Sequence, residues 1–193
     1  MRASWPELIN DIRNCRKCRL WEGRANVVPG EGDPNADLMF IGEGPGQEED
    51  RQGRPFVGPS GELLTKMIHA MGMERSECYI ANVVKCRPPG NRNPSPDETQ
   101  ACLNYLRAQT LLVRPKVVVL LGKVASSAIL REEIFVTRDH GTWFQRKGIY
   151  FLPTYHPSAL LRDPSKKRDA WEDLKKARDM LRTLAGDGGD GHA

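Results

Sequence analysis

Four of the five cysteines stand where they could share one inorganic centre. Cys15 and Cys18 form a C-x2-C pair, which places two thiolates within reach of a single metal site. Cys86 and Cys102 follow, joined by a Pro-, Gly- and Asn-rich stretch that runs into a helical pattern. Four thiolates can bind Zn²⁺ or a [4Fe–4S] cluster. Structural zinc sites often pair two tight knuckles, and only one half is tight here. The spacing therefore leans toward iron–sulfur and leaves zinc open, with unconnected buried thiols as the plain alternative. Cys78 opens an apolar run and reads as a small core residue. An odd cysteine count, the chain length and a polar segment after residues 1–6 argue against a disulfide-stapled secreted scaffold.

These thiols need elements to position them. Residues 5–14 carry Trp5, Leu8, Ile9 and Ile12 at helical spacing and deliver the chain to Cys15. Four short apolar runs, 37–41 (DLMFI), 78–84 (CYIANVV), 116–121 (KVVVLL) and 149–153 (IYFLP), predict buried strands. Between them lie helical patterns. Residues 60–71 place Leu63, Leu64, Met67, Ile68 and Met71 on one stripe, with Ser60 as candidate N-cap. Residues 96–113 begin with Pro96 and Asp97, suited to a first turn, and turn Cys102, Leu103, Leu106 and Leu112 inward. A short helix runs from Gly122 to Leu130, and a long charged one covers 164–184.

Strands alternating with helices predict an α/β fold whose parallel sheet is covered on both faces. In such sheets ligands bind at the carboxyl ends of the strands. The polar segments 42–50, 82–96 and 155–162 each fall there. Without internal repeat or linker, residues 1–185 read as one domain, and the Gly- and Asp-rich tail 186–193 as disordered.

The 193 residues are 39% hydrophobic and 28% charged, with 29 basic against 25 acidic side chains and a net charge of +4. That balance is compatible with a polyanionic partner without requiring one. No stretch approaches the roughly 18 apolar residues of a membrane span. A soluble, intracellular protein is expected.

The segments Gly42-Glu-Gly-Pro-Gly46 with Glu48-Glu-Asp50, Gly53-Arg-Pro-Phe-Val-Gly58, Asn82-Val-Val-Lys-Cys-Arg-Pro-Pro89 and Tyr155-His-Pro-Ser158, taken in order, resemble family 4 uracil-DNA glycosylases. These are the iron–sulfur members found in many bacteria and archaea. The resemblance runs over residues 5–184 and places Cys15, Cys18, Cys86 and Cys102 as ligands of a [4Fe–4S] cluster. It implies a three-layer α/β/α sandwich around a central four-stranded parallel sheet. It also implies hydrolysis of the bond between C1′ and N1 of deoxyuridine, with the nucleotide flipped into a pocket. Uracil-containing DNA is then the partner. A monomer in a prokaryotic cytoplasm, associated with the nucleoid, is expected, and a sliding clamp is a candidate accessory partner.

The resemblance assigns residues within that pocket. Asn82 meets the Watson–Crick edge of uracil, because one amide offers both a donor and an acceptor. Phe56 stacks on the base. His156, in the histidine-proline-serine turn, donates to O2 as negative charge builds on the leaving base. Backbone N–H groups around Glu43 and Gly44 also contact the base. The position that carries a water-orienting aspartate in the best-known uracil glycosylases is Gly44 here, so Glu43, the nearest carboxylate, is assigned to the water. Glu49 matches a family glutamate that crowds C5 and excludes thymine, although a run of acids such as 48–50 is ordinarily a solvated turn. Leu160 and Leu161, expected at a loop tip, either wedge into the gap left by the flipped nucleotide or pack beneath the last helix. Arg87, Arg92, Arg162, Lys166, Lys167 and Arg168 are candidates to track phosphates. His69, His140 and His192 read as structural or solvated.

Rival readings remain. A related glycosylase traps uracil-DNA covalently through a histidine between the last two cluster cysteines, but residues 87–101 (RPPGNRNPSPDETQA) contain none. The others are a non-catalytic module that binds uracil-DNA and an electron-transfer iron–sulfur protein.

Overall fold

The computed structural model describes residues 4–186. Helix α1 (Trp5–Arg13) starts with a capping box in which Ser4 and Glu7 exchange hydrogen bonds, and it buries Leu8 and Ile12. A single turn, α2 (Leu20–Gly23), follows the C-x2-C pair.

The sheet contains β1 (Glu31–Gly32), β2 (Leu38–Gly42), β3 (Tyr79–Asn82), β4 (Val117–Leu121), β5 (Phe144–Arg146) and β6 (Ile149–Thr154) in the order β1-β3-β2-β4-β6-β5. The inner strands β3, β2, β4 and β6 are all parallel, giving the four-stranded core that the apolar runs predict. Two short antiparallel edges are added to it, β1 on β3 and β5 on β6. Strand β5 escapes a sequence reading because three residues cannot display a period. Its hairpin turns at Lys147 and Gly148, both at positive φ (51° and 80°), as a tight two-residue turn demands.

Alternation along the strands divides the apolar side chains between two cores. From β4, Val118 and Leu120 enter one core with α1 and α5 (Pro96–Val113). Val117, Val119 and Leu121 enter the other with α4 (Pro59–Ala70) and α9 (Lys167–Gly186). Helix α6 (Gly122–Leu130) joins the first core through Ala125 and Leu130. The result is a three-layer α/β/α sandwich, in which each fully buried Val, Leu or Ile contributes roughly 1.5–3 kcal/mol.

Several boundaries differ from the sequence expectation. Helix α4 begins at Pro59 with Gly58 as N-cap, so Ser60 is already inside it. The acidic segment 48–50 is no solvated turn: it lies in α3 (Gln47–Gln52), where the buried Asp50 accepts from the backbone N–H groups of Ala25 and Asn26. Residues 157–162, expected as a loop, form α8 (Pro157–Arg162). One further turn, α7 (Val136–Asp139), precedes β5. Gly186 closes α9, and the remainder of the expected tail lies outside the described residues. Among the described residues no helix is long and apolar enough to cross a membrane.

Candidate active site and cysteine cavity

The carboxyl ends of β2, β3, β4 and β6 open into a cleft of about 750 Å³, lined by Glu43, Gly44, Glu49, Phe56, Asn82 and His156 among others. Residues distant in the chain meet there because parallel strands deliver their ends to one edge of the sheet.

Gly42, the last residue of β2, pairs in register with Asn82, the last of β3. A Cβ on Gly42 would lie 2.5 Å from Asn82 Oδ1 and 2.5 Å from Phe56 Cζ. The glycine is therefore what lets the amide and the ring share one floor. Asn82 is only 2% exposed, and its Oδ1 is a buried side-chain acceptor without a partner among the described residues. Leaving such an atom unpaired costs about 1–3 kcal/mol, which a ligand N–H would recover.

Phe56 is held against that amide in a strained conformation, with φ at 49°. Glu49 fixes the loop: its carboxylate accepts from the backbone N–H groups of Gly46 (3.1 Å), Val57 (3.0 Å) and Gly58 (3.2 Å). From the opposite side Arg75 donates to the Pro55 carbonyl at 2.6 Å and pairs with Glu31 at 2.7 Å. The Phe56 ring then faces His156 with centroids 5.6 Å apart and planes 33° apart.

His156 follows β6 and caps α8. Its Nδ1 accepts from the Ser158 N–H at 3.1 Å and lies 2.8 Å from Ser158 Oγ. With Nδ1 occupied as an acceptor, the proton of the neutral ring sits on Nε2. Burial, assisted by the charge of Arg162, pushes the pKa down to about 4, so the ring is neutral at neutral pH. Behind it, Gly122 at φ 88° brings its backbone so close that a Cβ would lie 3.0 Å from His156 Cβ.

Glu43 is half-buried in the cleft, and burial raises its pKa. Gly44 lies against Val84, where a Cβ would come within 2.7 Å of Cγ2. The cations divide. Arg162 and Lys166 line the cleft. Arg92 also reaches it, but its guanidinium is committed to Glu98 at 2.7 and 2.8 Å, which holds that carboxyl at about 2. Arg87 is bonded to Asn91, and Lys167 and Arg168 lie outside the cleft wall. The two leucines separate as well: Leu160 is 1% exposed and packs with Tyr155 and Ala170, whereas Leu161 is 45% exposed. His69 faces Glu74 and His140 faces Asp173, both at 3.1 Å, and His192 lies outside the described residues.

Cys15, Cys18, Cys86 and Cys102 line a second cavity with Ile12, Trp21, Lys85 and Tyr105. Three N–H groups point at its sulfurs: Lys85 N to Cys102 (3.3 Å), Lys17 N to Cys15 (3.5 Å) and Arg24 Nη1 to Cys86 (3.1 Å). Such donors stabilise thiolates. Among the described residues, no three His, Cys, Asp or Glu side chains converge as one metal ion would need. Cys78 stays apart in the other core, its thiol pushed up to about 12 by burial.

The sequence reading missed Lys85. Its Nζ donates to the Asn82 carbonyl at 2.8 Å and to Gln109 Oε1 at 2.6 Å, while Gln109 Nε2 donates to the Pro29 carbonyl and the Tyr79 hydroxyl. The available signal was a lysine inside an otherwise apolar run, between Asn82 and Cys86.

The family model described as Uracil DNA glycosylase superfamily matches residues 29–175. The chain is 44% identical to a type-4 uracil-DNA glycosylase of Sulfurisphaera tokodaii, covering 93% of this chain and 86% of that protein. It is 42% identical to a type-4 uracil-DNA glycosylase of Thermotoga maritima, covering 94% and 97%. A type-5 uracil-DNA glycosylase of Pyrobaculum aerophilum is more distant, at 32% identity over 82% of this chain and 84% of that protein.

Proposed function

The chain belongs to the uracil DNA glycosylase superfamily, and from that premise we propose that it flips uracil out of DNA and hydrolyses the C1′–N1 bond. Free uracil and an abasic site are the products. The observation that carries this reading is the buried, unpaired Asn82 Oδ1 in a cleft that it shares with Phe56 and His156.

Extruding the nucleotide costs roughly a few kcal/mol, less for uracil opposite guanine than in a proper pair. Stacking on Phe56 returns about 1–3 kcal/mol. Asn82 Oδ1 accepts the uracil N3–H, and its amide N–H₂ donates to O4. Cytosine presents an acceptor at N3 and a donor at position 4, so buried polar groups would face unmatched and reject it. Glu49 stands against C5, leaving no room for the methyl of thymine.

As the C1′–N1 bond breaks, its electron pair leaves on the base and positive charge grows on the sugar. The His156 Nε2–H donates to O2, an interaction that strengthens with that charge and so lowers the barrier. Water adds to C1′, and Glu43 orients it and accepts its proton. Lys166 and Arg162 supply positive charge for the backbone phosphates, and Leu161 is the exposed side chain available as a wedge.

Cys15, Cys18, Cys86 and Cys102 would hold a [4Fe–4S] cluster, which would supply a rigid cross-link anchoring the 86–102 loop. The lining of all four cysteines around one cavity, with N–H donors on three of the sulfurs, supports this reading.

The test is a single-turnover assay on single-stranded oligonucleotides carrying one uracil or one cytosine. Free uracil should be released from the first only, and Asn82→Ala and His156→Ala should slow release much more than they weaken DNA binding. A stable protein–DNA adduct would identify a covalent trap instead, and binding without release a non-catalytic module.

A further inference from the structure

The cleft is far larger than a single pyrimidine ring fills, and one part of its wall has no role in the chemistry above. That part is formed by Lys123, Phe135, Val136 and Thr137, between α6 and α7. Phe135 is 41% exposed, and of the exposed large hydrophobic side chains among the described residues it is the one that lines the cleft.

Its backbone is firmly held. The Phe135 N–H donates to Asp139 Oδ2 at 2.8 Å, and its carbonyl accepts from the N–H groups of Arg138 and Asp139, each at 2.8 Å. Asp139 is gripped in turn by Arg138 Nε at 2.7 Å and Nη2 at 2.9 Å. Two cations lie over the ring, Lys123 Nζ 4.7 Å and Arg138 Cζ 5.1 Å from its centroid. Both side chains are exposed, and the carboxylate nearest Lys123 is the exposed Glu133 at 3.5 Å.

An aromatic face on an anchored backbone, bordered by an exposed lysine, has the composition of a surface that binds single-stranded nucleic acid: the ring takes a base and the ammonium takes its phosphate. A stacked base is worth more on an exposed ring than an exposed cation is, so a nucleotide can displace Lys123. The displaced ammonium then has a phosphate to meet.

We propose that Phe135 is the stacking platform for a nucleotide adjacent to the extruded uracil, with Lys123 clamping that nucleotide's phosphate. This rests on the uracil-DNA reading and extends it to the flanking strand. Because the ring accepts any base face, the contact holds the strand without reading its sequence.

The test measures binding by anisotropy on uracil-containing single strands, normal or carrying an abasic residue immediately 5′ or 3′ of the uracil. Phe135→Ala should weaken binding to the normal strand about tenfold, and Phe135→Trp should restore it. Removing the neighbouring base on the stacked side should abolish the difference between the wild-type protein and Phe135→Ala. Equal affinities on the normal strand, or a loss that persists with either neighbour removed, would overturn the proposal. Failure of the uracil reading would be distinct: the wild-type protein would release no uracil, whatever these affinities are.

Discussion

Lys85 Nζ donates to the backbone carbonyl of Asn82 across 2.8 Å, while the Lys85 N–H donates to Cys102 Sγ across 3.3 Å. One buried residue thus ties the end of β3, which carries the Asn82 amide proposed to read the base, to the cysteine cavity. Replacing Lys85 with Met keeps an unbranched side chain, one heavy atom shorter, but leaves the Asn82 carbonyl and Gln109 Oε1 without this donor. Each unpaired buried acceptor costs about 1–3 kcal/mol. Lys85→Met should lower the melting temperature of the cluster-loaded protein and slow uracil release. A variant with wild-type stability and rate would show that the tether is dispensable.

Gly42→Ala probes the floor of the cleft. Its Cβ has no space between Asn82 Oδ1 and the Phe56 ring, each 2.5 Å away. Uracil excision should fall by at least the roughly 10²-fold that a misplacement of about 1 Å can cause. Circular dichroism checks that the fold survives, and a near-normal rate in a folded variant contradicts the geometry.

The pH dependence separates two groups. His156, at about 4, stays neutral well below neutrality. Glu43, raised above its ordinary value by burial, takes up its proton first as pH falls. The acid limb of the excision rate should therefore vanish in Glu43→Gln and keep its position in His156→Gln. Stability gives the complementary sign. The histidine pKa is lower in the folded state than in the unfolded one, so its contribution is complete above about 6.5 and is lost as pH falls toward 4, by up to about 3 kcal/mol. Denaturant titrations at pH 7 and pH 4.5 should show His156→Gln losing less stability than the wild-type protein over that interval.

Cluster content is a direct measurement. Protein purified from an iron-replete host should be brown and contain about four irons per chain. Cys86→Ser should lower that iron content and expose the 86–102 loop to proteolysis. One zinc per chain in place of iron would remove the cluster from the account.

Glu49 offers a test of specificity. Its carboxylate carries the backbone bonds that fix the Phe56 loop. Glu49→Ala should raise the KM for uracil-DNA and admit measurable thymine release, whereas Glu49→Gln, which keeps the bulk and one acceptor oxygen, should raise KM while still excluding thymine. Identical uracil and thymine kinetics in all three proteins would show that Glu49 supports neither function.

What the sequence determined by itself is the frame. The helices α1, α4 and α5 are legible because their apolar residues recur at helical spacing, α9 as a long charged stretch, and the four parallel strands because each is a continuous apolar run such as Val117–Leu121. The cysteine pairing pattern and the motifs at the strand ends are legible for a related reason: they are short and contiguous. Elements of two to six residues, β1, β5, α3 and α8, leave too little periodicity to detect. Only tertiary structure decided that Leu160 is covered and Leu161 free, that Arg92 is engaged by Glu98, and that Lys85 links Asn82 to Gln109. The reason is physical. Local preference depends on neighbours along the chain, whereas the environment of a side chain depends on which distant segments the sheet brings against it.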